Sequence, residues 1–166
     1  MKQIPLTRGL FALVDDADFD WLNQWKWQVL ETYKGCPYVR RTNHCRHGPS
    51  SSVLMHRLIM NAEKGQILDH INCNSLDNRR ENLRFCDSFQ NLANRPLGKN
   101  NSSGFKGVSF TGRRGNIAWG AWICCRGNRK FIGTFPTAKD AAAAYDNYAL
   151  QMHGEFARTN KILGLI

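Results

Sequence analysis

Nothing in this 166-residue chain approaches the roughly 20 consecutive apolar residues of a membrane-spanning helix. The opening stretch, MKQIPLTRGLFALVDDADFD, is broken by charges and holds no signal-peptide segment. A cytoplasmic protein with no membrane partner is therefore expected. C-x-x-C pairs are absent, which argues against a zinc knuckle. Without an export signal, Cys36, Cys45, Cys73, Cys86, Cys124 and Cys125 are expected to be reduced and structural. Acid is scarce: 13 Asp and Glu stand against 23 Lys and Arg, a net charge of +10. A polyanionic partner is favoured, nucleic acid first and an anionic membrane surface second.

Three zones are present. Residues 1–55 read as β-rich with one short helix. GLFALVD, KWQVLE, PYVRRT and SSVLMH are strand candidates, and DADFDWLNQW opens with the acids that suit a helix N-terminus. A second zone covers 56–96. The stretch at 97–103, within PLGKNNSSG, has linker composition. The third zone runs from 104 to 166. Residues 105–135 hold Lys106, Arg113, Arg114, Arg126, Arg129 and Lys130 and no acid, whereas 136–166 balance to zero. That asymmetry suits a basic sheet, turned to nucleic acid, backed by a neutral helix.

The central segment is ILDHINCNSLDNRRENLRFCDSFQNLANR. ILDHI and ENLRFC read as strands joined by a turn-rich loop. Asp87 and Gln90 have the spacing of a capping box that opens a helix. Phosphodiester hydrolysis needs a base near neutral pH, for which histidine has the right intrinsic pKa. It also needs a hard cation on oxygen ligands. His70 offers the base, Asp69 a carboxylate and Asn91 an amide oxygen. Neighbours on a strand point to opposite sides, so Asp69 and His70 share one site only at an irregular strand end or across a wide groove.

Asp69-His70, then Asn78 with Asn82-Leu83-Arg84, then Asn91, stand in the order D-H, N-x-x-x-N-L-R, N, after a Met55-His56-Arg57-Leu58 lead-in. In these marks the segment resembles the HNH homing-endonuclease family. The resemblance implies a ββα-metal nuclease module with one Mg²⁺- or Mn²⁺-type ion held by Asp69 and Asn91. It makes His70 the general base and places Asn82 in the hairpin, holding the loop that orients His70. No small-molecule cofactor is implied. His56 fits burial or a phosphate contact, and Arg84 a phosphate contact.

In the third zone, SGFKGVSF, IAWGAWICC and RKFIGTF read as three strands with Gly/Asn turns between them. Thr137 and Asp140 cap a helix whose Ala141, Ala144, Tyr145, Tyr148, Ala149 and Met152 recur at helical spacing, with Gly154 closing it. Lys106-Gly107-Val108, Trp119, Gly133-Thr134-Phe135, Thr137-Ala138, Ala142 to Asp146, Gly154-Glu155 and Asn160 make this zone similar to the Apetala/ethylene-response-factor DNA-binding domain. The likeness implies DNA contact by Lys106, Trp119, Arg126 and Arg129, with Arg113 and Arg114 reaching phosphate from the first turn. Ser109, Trp122-Ile123-Cys124 and Phe131 depart from that family's base-reading residues, so its site preference does not carry over. Trp122 fits the core and the DNA face equally.

The whole reads as an α+β protein: a β-rich N-terminal region, a ββα-metal module, and a three-stranded antiparallel sheet packed on one helix. The expected function is a site-preferring, homing-type endonuclease, phage-like in origin. It would act on double-stranded DNA, in the host cytoplasm if phage-encoded. One catalytic constellation and no heptad pattern favour a monomer that nicks. The alternative is a DNA-binding regulator with a vestigial nuclease fold.

Overall fold

The computed structural model describes residues 1–31, 37–43, 51–113 and 116–166. Small antiparallel sheets and short helices make an α+β protein. The chain divides into two compact units, Met1–Cys86 and Asp87–Ile166. Each has an apolar core. No helix among the described residues is long and apolar enough to cross a membrane.

In the first unit, β1 (Lys2–Pro5) pairs antiparallel with β2 (Phe11–Val14). Strand alternation turns Ile4, Ala12 and Val14 inward. β1 escapes the sequence reading because only one of its four residues is buried. α1 (Asp16–Leu22) carries Asp16 and Asp18 in its first turn, where they complement the helix dipole, and buries Leu22. β3 (Gln28–Glu31), β4 (Pro37–Asn43) and β5 (Ser51–Leu54) form a sheet with β4 in the middle. The chain then turns into α2 (Met55–Ile59), where a strand through His56 was expected. Helical geometry lets Met55 and Ile59, one turn apart, both enter the core.

β6 (Ile67–His70) and β7 (Leu83–Cys86) make a hairpin in which Asp69 stands opposite Arg84 and His70 opposite Leu83. Their long connection ends in a 3-10 turn, Arg80–Asn82. It is tied to β2 by Leu13 N to the Leu76 carbonyl (2.9 Å) and Asn78 N to the Leu13 carbonyl (2.8 Å). Ile4, Val14, Leu22, Val39, Met55, Ile59 and Leu83 share one core. The β-rich region and the hairpin, read separately in sequence, thus close a single core together.

The second unit begins with α3 (Ser88–Ala93), and both halves of the Asp87–Gln90 capping box are formed. The division at Asp87 falls ahead of the linker expected at 97–103. β8 (Val108–Phe110), β9 (Trp119–Cys125) and β10 (Asn128–Phe135) follow in the antiparallel order β10-β9-β8. α4 (Ala138–His153) lies across them. Val108, Ala121 and Ile123 from the sheet meet Ala141, Ala142, Tyr145 and Ala149 from the helix. Met152 is exposed, contrary to the expected stripe, and Phe156 and Ala157 just after the helix are buried instead. Gly107 has φ +76, and a Cβ there would sit 2.0 Å from the Tyr145 ring, so only glycine lets helix and strand meet. Asn160 is fully buried; it accepts from Lys106 N (2.7 Å) and donates to the Lys106 carbonyl (3.1 Å) and to Asp146 Oδ1 (2.8 Å). It clasps the end of the chain to the start of the sheet.

Candidate functional site

His70 is the last residue of β6 and is 6% exposed. Its ring lies 5.1 Å from that of His56 and 6.2 Å from that of Tyr38, while Tyr38 and His56 are 5.5 Å apart. Asp69, also buried, has different neighbours: its Oδ2 accepts from Arg84 Nη2 (2.9 Å) and Nε (3.1 Å). The two residues thus show the opposite orientation expected of strand neighbours.

The loop leaving His70 is held from within. Asn82 Nδ2 donates to the Asp77 carbonyl (2.8 Å), and Asn82 Oδ1 accepts from Asn72 N (2.9 Å). The Asn82 carbonyl accepts from Ile71 N (2.9 Å). Asp77 is buried and accepts from Arg79 Nε (2.8 Å), Arg79 Nη2 (2.7 Å) and Asn72 Nδ2 (2.8 Å). The Arg79 guanidinium holds the Asp77 carboxyl below its ordinary range. Arg80 likewise anchors the loop's end to buried Asp18 through Nε (2.7 Å) and Nη2 (2.8 Å), which depresses the Asp18 carboxyl.

Burial pushes the pKa of His70 down, against hydrogen bonding to Asn78 and the charges of Asp69 and Asp77, which raise it. His70 therefore stays neutral near pH 7 and is able to take a proton. Burial drives His56 down to about 3, with the charges of His70 and Arg57 adding to the shift.

The structure assigns other work to several expected contact residues. His56 is 5% exposed and packs on two rings, so it is no surface phosphate contact. Arg84 is paired with buried Asp69 and is itself largely covered. Asn91 is exposed on α3 and belongs to the second unit. Tyr38 was missed by the sequence reading, because only strand topology carries it to His70. Among the described residues, no group of three His, Cys, Asp or Glu converges as a metal centre. The donors implied by the family motif, a carboxylate and an amide oxygen, are nonetheless hard oxygens that suit a Mg²⁺-type ion.

In the second unit, alternation sorts the sheet into two faces. Trp119 packs at the edge of the helix-side core and edge-on to Phe110 at 5.4 Å, so it is turned away from the outer face. Trp122 lies on that outer face, 4.5 Å from Phe131, with the Arg129 guanidinium over its ring at 4.3 Å. Lys106 does not project freely, since its Nζ donates to the carbonyls of Ala93 (2.6 Å) and Arg95 (2.8 Å). Arg126 sits exposed in the β9–β10 turn at φ 48, beside Gly127. Arg113 is exposed in the turn after β8, and Arg114 lies outside the described residues. Cys73, Cys86, Cys124 and Cys125 form no disulfide among the described residues, and Cys36 and Cys45 also lie outside the described residues.

This chain belongs to the HNH endonuclease family. It is 31% identical over 143 residues to the "Uncharacterized HNH endonuclease L560" of Acanthamoeba polyphaga mimivirus, covering 82% of this chain and 72% of that protein. It is 30% identical over 95 residues to "Protein 3.8" of Escherichia phage T7, covering 57% of this chain and 76% of the phage protein. A further likeness is to the "Dehydration-responsive element-binding protein 2A" of Arabidopsis thaliana, at 49% identity over 57 residues and 31% of this chain. The matched stretch spans 17% of that plant protein. No family model matches the chain, and no solved structure matches it.

Proposed function

We propose that the chain is a metal-dependent endonuclease that hydrolyses phosphodiester bonds of double-stranded DNA. The observation that carries this reading is a buried histidine, His70, held neutral at the end of a hairpin and packed against His56 and Tyr38. Asn82 fixes the loop that leaves it. In the reaction His70 takes a proton from water, and the water oxygen attacks phosphorus. The bond from phosphorus to the 3′ oxygen breaks, and that oxygen takes up a proton from solvent. The products are a 5′-phosphate and a 3′-hydroxyl. Asp69 is the carboxylate that would hold a Mg²⁺- or Mn²⁺-type ion, and Asn91 the amide oxygen that the family motif adds. When bound, such an ion neutralises charge on the phosphate and the leaving oxygen.

The outer face of the second unit supports a DNA-holding role. Trp122, Phe131 and Arg129 stack there, and Arg113 and Arg126 are exposed on the turns at the two ends of β9. The plant relative is named as an element-binding protein, which agrees with that role. One catalytic constellation per chain favours a monomer that nicks a preferred site in the homing-endonuclease manner.

A second reading, a DNA-binding regulator with a vestigial nuclease fold, draws on the Asp69–Arg84 pair, which already neutralises the carboxylate. Binding of duplex DNA with and without Mg²⁺, measured beside strand cleavage, separates the two. The nuclease cuts only with the ion. The regulator binds and never cuts.

A further inference from the structure

The described arginines of the first unit are nearly all committed. Arg8 pairs with Glu31, and Arg41 lies over the Trp25 ring at 4.1 Å. Arg57 donates to the main-chain carbonyls of Ala62, Glu63 and Gln66. Arg79, Arg80 and Arg84 pair with Asp77, Asp18 and Asp69. Among the described residues, Arg40 is the one arginine of this unit with no acidic, carbonyl or aromatic partner, and its Nε is buried without a hydrogen bond. A buried donor left without an acceptor is costly, and the cost is lifted when an acceptor arrives.

Its position says which acceptor. On β4, Val39 enters the core, so Tyr38 and Arg40 share the opposite face. Tyr38 on that face touches the rings of both His56 and His70. Arg40 stands two residues further along, about 7 Å at strand rise, opposite Leu54, the last residue of β5 and two residues before His56. Arg40, with no carboxylate of its own, thus belongs to the same face of β4 as the Tyr38 ring that meets the candidate base, the face on which a nucleic-acid backbone would lie for His70 to act. Guanidinium donors match phosphate oxygens in charge and in fork geometry.

We infer that Arg40 is a phosphate-binding residue of the active site, gripping the DNA backbone beside the bond to be cut. The inference rests on the nuclease reading for the location of the substrate. It gives β4 of the N-terminal sheet a direct part in binding, and gives Arg40 the phosphate contact that His56 and Arg84 are not free to make.

The test uses the full chain with Arg40→Ala, Arg40→Gln and Arg40→Lys, each checked by thermal melting. Binding to a mixed-sequence duplex is measured across a range of salt without divalent ion, so that it stands apart from cleavage. Arg40→Ala and Arg40→Gln are expected to bind about ten- to a hundredfold more weakly. Their log–log salt slopes should be shallower by about 0.9, one phosphate contact. Arg40→Lys keeps the charge and should keep the slope. A merely structural arginine would shift the melt and leave the slope alone. Folded Ala and Gln variants with the wild-type slope overturn the inference. Wild-type protein that binds without cutting refutes the nuclease reading instead, and the slopes still decide whether Arg40 holds phosphate.

Discussion

His56 makes the fold sensitive to acid by a calculable amount. It is 5% exposed, its ring packs between Tyr38 and His70, and burial drives its pKa from 6.5 to about 3. Above pH 6.5 it is neutral in the folded and unfolded chain alike, and the full stability is present. As pH falls from there toward 3, the unfolded chain takes up a proton that the folded chain refuses, and stability is lost. Each pH unit inside that window costs up to about 1.4 kcal/mol. Between pH 7.5 and pH 5.0 the loss comes to about 2 kcal/mol from this one residue. Burial lowers His70 in the same direction, and its loss adds to that of His56. The perturbation that isolates His56 is His56→Gln, which cannot titrate. Urea unfolding at pH 7.5 and pH 5.0 should show the wild type losing about 2 kcal/mol more than the variant over that interval. Equal losses in the two proteins would refute the buried, neutral assignment.

Asp69→Ala should raise the Mg²⁺ or Mn²⁺ concentration needed for half-maximal cleavage more than Asn91→Ala does, since the carboxylate brings charge and the amide only a dipole. Unchanged midpoints in both would remove them from the metal site. Asn160→Ala strands Lys106 main-chain groups and the Asp146 carboxylate. It should cost about 2–4 kcal/mol, seen as a lower melting temperature, and a loss within error would contradict the clasp. Trp122→Ala should weaken duplex binding with little change in melting. Trp119→Ala should do the reverse, because it removes helix-side packing; similar profiles for the two would undo the assignment of faces.

The sequence carried the local parts of this architecture well. The capping box at Asp87 and the Thr137 cap are short-range chemistry, and both form where the residues stand. The three strands and helix of the second unit follow from alternation and from the alanine stripe. What escaped was set by tertiary packing. SSVLMH has strand composition, yet the chain turns helical at Met55 because Met55 and Ile59 fill the same core. Tyr38 stands 32 residues before His70, and no local pattern joins them. Trp119 and Trp122 are alike as letters, and only the sheet register puts one at the helix and the other outside. Lys106 reads as a free cation until the carbonyls of Ala93 and Arg95 are seen around its ammonium.

The most direct test compares wild type with His70→Ala on supercoiled plasmid, with Mg²⁺ and with chelator. The wild type should convert supercoiled plasmid to the relaxed form in Mg²⁺ and leave it intact in chelator. His70→Ala should be slower by about 10² to 10⁴ while its duplex affinity stays within a few fold. Intact plasmid from folded, DNA-binding wild-type protein in Mg²⁺, or cleavage by His70→Ala at the wild-type rate, would contradict the account.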